Sequence, residues 1–213
     1  MSRFVKWVAD RVAAAVLLVL LSPVLAGIAI WILVDGGRPA LLRQERVGKN
    51  GRRFTMLKFR TMVPNALELA HDLTDDPYGV VPDDPRFTRP GRFLRRTSLD
   101  ELPQLWNVLV GQMSLVGPRP DLVEQAANYS DHDRARLAVE PGITGWSQVN
   151  GREEISWPER IEQDLWYIEH WSLGLDVKIM LRTVGQFRRT GEQPVVDTMN
   201  IERARAREKA EST

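Results

Sequence analysis

Residues 12–34 read VAAAVLLVLLSPVLAGIAIWILV, an uncharged run with Ser22-Pro23 near its middle, and the reading of that proline decides the fold. As one straight helix the run would be about 35 Å long, enough to cross a hydrocarbon core of roughly 30 Å. Proline removes a backbone donor and clashes with the preceding turn, and it biases Ser22 away from helical angles. Broken there, each half (Val12–Leu21 and Val24–Val34) is only about 15–17 Å long, the depth of one leaflet. The flanks point the same way. Arg3, Lys6 and Arg11 precede the run, and Arg38, Arg43, Arg46, Lys49, Arg52 and Arg53 follow it. Positive residues favour one side of a membrane, so a single span must place one basic flank on the wrong side, whereas a helix–break–helix returns to its own side. Prolines also kink true spanning helices, so a span remains the alternative. In either case the Ser22 hydroxyl is placed to bond a carbonyl freed by Pro23. A cleaved signal peptide has a shorter apolar region, about 7–15 residues, and a small-residue cleavage site that is not found here.

The remainder fits one large domain in a chain of 213 residues. Lysine plus arginine is 29 and aspartate plus glutamate is 28, so net charge gives no argument for a nucleic-acid partner and none is expected. Cysteine is absent, which removes disulfides, thiolate catalysis and cysteine-bound metals. The segment from Arg38 to Arg60 is basic, with Glu45 its one acidic residue. Within it, Leu41–Val47 and Arg53–Phe59 flank Gly48-Lys49-Asn50-Gly51, which predicts a β-hairpin. Its second strand ends in Lys58-Phe59-Arg60, an alternation that places Lys58 and Arg60 on one face. Asn65–Asp72 reads as a helix. Leu73–Pro90, with four aspartates and four prolines, reads as a solvated loop without the ligand order of a calcium site.

Thr97–Pro120, TSLDELPQLWNVLVGQMSLVGPRP, carries the densest chemistry. Asp100 and Glu101 stand side by side at an expected helix start, between Arg92, Arg95 and Arg96 and a Gly-Pro-Arg-Pro turn containing Arg119. Carboxylates among arginines at a helix start suit chemistry on a phosphorylated, metal-bound substrate. The structural alternative is a capping box of Ser98 and Glu101, or a cap at Asp100 with Pro103 in the first turn. Prolines on both sides of Arg119 present its guanidinium with little freedom, in a phosphate-binding turn or in a plain one. Downstream, Leu122–Tyr129 and Asp131–Leu137 read as helices, Trp146–Val149 as a strand, and Asn150-Gly151-Arg152 as an exposed turn. Pro158–Trp171 is an amphipathic helix with Ile161, Leu165, Ile168 and Trp171 at helical spacing. A last helix follows Leu173-Gly174, capped by Asp176, its apolar and basic residues suited to a membrane interface.

In order, Ser22-Pro23, RQERVGKNG (Arg43–Gly51), KFRTM (Lys58–Met62), DPRFTRPGRFLRRTSLDELPQLWNVLVGQMSLVGPRP (Asp84–Pro120), PGITGWSQVNGR (Pro141–Arg152) and DLWYIEHWSLGLDVKIMLRTV (Asp164–Val184) resemble the bacterial initiating sugar transferases, the monotopic phosphoglycosyl transferases. The resemblance implies a helix-rich α+β protein in its minimal catalytic form, without the extra N-terminal membrane domain of larger relatives. Residues 1–37 would form a re-entrant membrane helix, 38–200 a catalytic domain with a β-hairpin and interfacial amphipathic helices, and 201–213 a charged tail. It further implies transfer of a sugar-1-phosphate from a UDP-sugar to polyprenol (undecaprenyl) phosphate, with Mg2+, at the cytoplasmic face of a bacterial inner membrane. Asp100 would be the nucleophile that forms an aspartyl-phosphosugar, and Glu101 its partner in metal binding or acceptor activation. Lys58, Arg60, Arg95, Arg119 and Arg152 would hold phosphates or the nucleotide.

Overall fold

In the computed structural model, residues 3–70, 83–151 and 155–187 are described. Two helices open the chain, α1 (Arg3–Leu20) and α2 (Ser22–Gly36), bent by 62° at Leu21. No single helix among the described residues is long and apolar enough to cross a membrane, although the bent pair together meets that length and composition. Pro23 sits in the first turn of α2, where the ring is tolerated because that N–H lacks a partner anyway. The carbonyl that Pro23 leaves without a donor belongs to Val19, and the Ser22 hydroxyl donates to it at 2.8 Å. Serine and proline thus make the bend together.

The hairpin forms as the sequence predicts. Strand β1 (Leu41–Val47) pairs antiparallel with β2 (Arg53–Phe59), from Leu41 opposite Phe59 to Val47 opposite Arg53. Asn50 takes φ 56° at its tip, a left-handed conformation that asparagine tolerates. The outer edge of β2 is not left to solvent. Asn107 accepts a hydrogen bond from the Leu57 N–H at 3.0 Å and donates to the Thr55 carbonyl at 2.8 Å.

Next come α3 (Ala66–Ala70), α4 (Arg89–Thr97), a 3-10 turn at Leu99–Glu101, α5 (Gln104–Leu109) and β3 (Ser114–Val116). They are followed by α6 (Val123–Ala127), α7 (Asp131–Arg134) with a 3-10 turn at Ala135–Ala138, and β4 (Gly142–Thr144). The last elements are α8 (Trp146–Asn150), α9 (Trp157–Glu169) and α10 (Leu173–Phe187). β3 and β4 form a parallel pair with Ser114 opposite Gly142. The strand expected at Trp146–Val149 is therefore the short helix α8, and the extended segment lies just before it. The helix expected from Asp131 starts there as α7, where the Ser130 hydroxyl accepts from the Asp133 N–H.

Other expectations are corrected by burial. Asp84 is not part of a solvated loop: it is buried and pairs with Arg86 at 2.6 Å. Asp176 does not cap α10, because the Ser172 hydroxyl accepts from the Leu175 N–H there. Asp176 lies one turn inside and is buried, accepting hydrogen bonds from Lys6 (2.8 Å), Tyr167 (2.7 Å) and Trp171 (3.1 Å). Lys6 also pairs with Asp10, which accepts from the Ser114 hydroxyl. This polar cluster ties α1 to β3, α9 and α10. Apolar packing ties the same helix pair to the hairpin: Ala14 packs with Phe54, Met56, Leu105, Val108 and Met113, and Ile28 and Ile32 pack with Phe59 and Leu94. The bent pair is thus a structural wall of the domain, and its outward side, including Val19, Ile30 and Val34, stays apolar and exposed.

Candidate active site

The site grows from the junction between α4 and α5. The Thr88 hydroxyl accepts from the Gly91 N–H at 3.0 Å and starts α4, with Pro90 in its first turn. α4 ends at Ser98, which takes φ 53°, so the chain turns sharply into the 3-10 segment holding Asp100 and Glu101. The Ser98 side chain makes no cap bond, and α5 begins only at Gln104 after Pro103. The capping reading of these carboxylates is therefore not what the backbone adopts. Both are left for other work.

Glu101 is held by two cations. Lys58 Nζ and Arg119 Nη2 each lie 2.8 Å from the same oxygen, Glu101 Oε1. Burial opposes ionisation of Glu101, but Arg119 and Lys58 together outweigh it and keep its pKa well below the usual carboxylate range. Lys58 sits on the Phe54–Met56 side of β2, and burial lowers its pKa against the field of Glu101. Asp100, only 5% exposed, accepts no hydrogen bond from the described residues. Burial raises its pKa, Glu101 adds to that, and the fields of Lys58, Arg95 and Arg119 oppose it. One carboxylate is committed; its neighbour is not.

Arg119 reaches this point because its turn is clamped from behind. Tight backbone approach comes first: a Cβ at Gly117 would lie 2.6 Å from the Glu140 carbonyl oxygen, and one at Gly142 would lie 2.1 Å from Gly117 N. Only glycine fits at either position. The Arg46 guanidinium then donates to the Pro120 carbonyl, and Arg136 to the Arg119 carbonyl, both at 3.2 Å. Arg136 is buried between Asp121 and Asp164 and also donates to the Tyr129 hydroxyl at 2.8 Å. Asp164 in turn accepts from the Ser147 hydroxyl at 2.7 Å.

Of the candidate residues, the structure brings together Asp100, Glu101, Lys58 and Arg119, with Arg95 close enough to act on Asp100 through its charge. Arg60 does not join them. Its guanidinium donates to the carbonyls of Gly36 (2.7 Å), Gly37 (2.5 Å) and Arg38 (3.1 Å), closing the end of α2. The alternation of Lys58 and Arg60 fails as a guide because Arg60 lies just beyond the end of β2. Arg152 lies outside the described residues.

Sequence reasoning missed the Asp121–Arg136–Asp164 network and Asn107. One signal was present: Asp164 follows Ile161 by three residues and precedes Ile168 by four, so a carboxylate interrupts the apolar stripe of α9. Arg136 gives no such signal among the charges around it.

Among the described residues no group of three histidine, aspartate or glutamate side chains is gathered to hold a metal ion. The donor set at Asp100 and Glu101 nevertheless fits one kind of ion. Glu101 spends Oε1 on both cations, while the neighbouring Asp100, whose carboxylate feels the Glu101 charge, accepts no hydrogen bond from the described residues. Mg2+ is typically bound through one or two carboxylates, substrate phosphates and water.

A sequence model described as "Bacterial sugar transferase" matches residues 1–190. The chain belongs to the bacterial sugar transferase family. It is 43% identical over 175 residues to the uncharacterized sugar transferase EpsL of Bacillus subtilis (strain 168), covering 82% of this chain and 83% of that protein. It is 43% identical over 193 residues to the UDP-galactose-lipid carrier transferase of Erwinia amylovora, covering 86% of this chain. It is 44% identical over 191 residues to the UDP-glucose:undecaprenyl-phosphate glucose-1-phosphate transferase of Escherichia coli (strain K12), again covering 86% of this chain. The chain spans 40% of the length of each of these last two relatives.

Proposed function

We propose that this bacterial sugar transferase moves a sugar-1-phosphate from a UDP-sugar to polyprenol phosphate in two displacements. In the first, an Asp100 carboxylate oxygen attacks the phosphorus that carries the sugar. The bridging P–O bond breaks, UMP leaves with the bridging oxygen, and an aspartyl-phosphosugar remains. In the second, a phosphate oxygen of the polyprenol phosphate attacks the same phosphorus and expels the Asp100 carboxylate, giving polyprenyl-diphosphate-sugar. The observation that carries this reading is the contrast at the α4–α5 junction: Glu101 is bound by Lys58 and Arg119, while Asp100 accepts no hydrogen bond from the described residues.

The surrounding charges suit the reaction. Donor, acceptor and nucleophile are all anionic, so their approach must be compensated. Lys58 and Arg119 keep Glu101 ionised, and the Lys58 ammonium carries three N–H groups, so it can hold a phosphate oxygen beside Glu101. Arg95 faces Asp100 from α4 and favours its ionised form. Arg152 is proposed, from the family resemblance, as a further contact to the donor. Asp100 and Glu101 would hold Mg2+, which when bound would neutralise diphosphate charge. Attack is assigned to Asp100 because Glu101 Oε1 is taken up by Lys58 and Arg119 while Asp100 accepts no hydrogen bond from the described residues.

We further propose that the bent α1–α2 pair enters one leaflet and returns to the cytoplasmic face of a bacterial inner membrane. Its support is the 62° bend, the exposed apolar side and the basic residues at both ends. Such an anchor brings the site to the bilayer surface, where a polyprenol phosphate presents its head group. The test of the two-step reaction is isotope exchange. With UDP-galactose or UDP-glucose and no acceptor, labelled UMP should enter the UDP-sugar pool. Exchange that demands acceptor would contradict a covalent intermediate.

A further inference from the structure

The outer face of α4 is a row of cations that the reaction above does not use. Arg89, Arg92 and Arg96 are exposed and follow i, i+3, i+7 spacing, which places them on one side of the helix. Phe93, 40% exposed, lies among them. None of the three arginines makes an ion pair or hydrogen bond with a described residue. Arg95, between them in sequence, turns instead toward Phe87 and Asp100. The opposite side of the helix is core: Pro90, Gly91 and Leu94 are buried.

The position of this row is set by α2. Thr88, which starts α4, packs against the end of α2 so closely that a Cβ at Gly36 would meet its methyl group at 3.2 Å. Farther along, Phe93 lies against Trp31, with ring centroids 5.8 Å apart. Trp31 is five residues before Gly36, or about 7–8 Å along the helix. If α2 leaves the hydrocarbon near Gly36, α4 starts at the exit point and Phe93 reaches toward the acyl boundary. Its arginines then lie within the headgroup layer, which is about 5–8 Å thick on each side of the core. Arginine suits such a place, because its stem can lie along apolar surface while the guanidinium binds phosphate through several N–H groups.

We propose that Arg89, Arg92 and Arg96 form a seat for the phosphate headgroups of anionic phospholipid. The occupant follows from the charge of the row and from its continuity with the apolar side of α2; the proposal rests on the membrane reading of the α1–α2 pair. The seat also has a consequence for the site. α4 carries the lipid-facing arginines on one side and Arg95, facing Asp100, on another, so binding headgroups fixes the height of Asp100 above the bilayer.

The experiment uses the full chain and two vesicle types, phosphatidylcholine alone and phosphatidylcholine doped with phosphatidylglycerol. Flotation with the neutral vesicles tests the anchor. Native mass spectrometry of protein extracted from the doped vesicles then reads how many lipids of each kind stay bound. Each basic residue at an anionic surface is worth about fivefold in association, so three give up to about a hundredfold preference for phosphatidylglycerol. The R89Q/R92Q/R96Q variant should lose that preference and still float, since glutamine supports a helix about as well as arginine. The R89K/R92K/R96K variant keeps the charge and should keep most of the preference. It also guards against a folding defect. Flotation without lipid preference in the wild type, or equal preference in the glutamine variant, overturns the seat and leaves the anchor standing. Failure to float with neutral vesicles overturns the anchor and the seat together.

Discussion

Replacing Arg136 with methionine should unfold the back of the site before it changes any contact with substrate. The guanidinium is 2% exposed and serves four acceptors: the Asp121 and Asp164 carboxylates, the Tyr129 hydroxyl and the Arg119 carbonyl. Methionine fills part of the volume but leaves two buried carboxylates without their cation. Breaking a buried ion pair from one side costs about 3–5 kcal/mol, because the remaining charge stays out of water. A domain of this size has only about 5–15 kcal/mol in hand, so the loss is a large fraction of its stability. The measurement is a urea titration of the detergent-solubilised protein, with R136M beside R136M/D121N/D164N. Removing the two stranded charges should restore part of the loss. A single variant within about 1 kcal/mol of wild type would refute the reasoning, since surface charge pairs fall in that range. So would a triple variant no better than the single one.

Gly91→Ala should lower the melting temperature, because the new Cβ would sit 1.8 Å from the Thr61 carbonyl oxygen, a backbone atom that cannot swing away; overpacking of this kind costs about 1–3 kcal/mol. Arg60→Met should also lower it, since carbonyls left without a donor cost about 1–3 kcal/mol of stability, with the KM for UDP-sugar unchanged. A raised KM at unchanged melting temperature would return Arg60 to the substrate. Arg3→Cys and Arg43→Cys should react with an impermeant thiol reagent from the same side of sealed vesicles. Opposite sides would mean that the α1–α2 pair spans.

Local signals carried the parts of the fold that are local. The bend at Ser22-Pro23 follows from one missing N–H and one hydroxyl, and both are visible in the sequence. The hairpin follows from two strand-length runs around a Gly-Lys-Asn-Gly tip. The clamp behind Arg119 was not legible in the same way, since Asp121, Arg136 and Asp164 are joined only by the tertiary fold. Nor did the parallel pairing of β3 and β4 leave a mark in segments of three residues each. The short helix α8 replaced an expected strand because Trp146-Ser147-Gln148-Val149 is too brief for its periodicity to decide between the two. At the site itself, adjacent carboxylates among arginines were legible as a candidate, but the sequence could not divide their roles. In the structure the left-handed turn at Ser98 ends α4 and prevents the capping box, and Lys58 and Arg119 hydrogen-bond Glu101 rather than Asp100; the proposed assignment of attack to Asp100 rests on that contrast.

The most direct test of the central claim is the mass of the protein after incubation with donor and no acceptor. Wild-type protein given UDP-galactose or UDP-glucose with Mg2+ should gain the mass of one sugar phosphate, mapped by peptide analysis to Asp100, and Asp100→Asn should gain none. An adduct on another residue, or a full adduct in Asp100→Asn, would contradict the account.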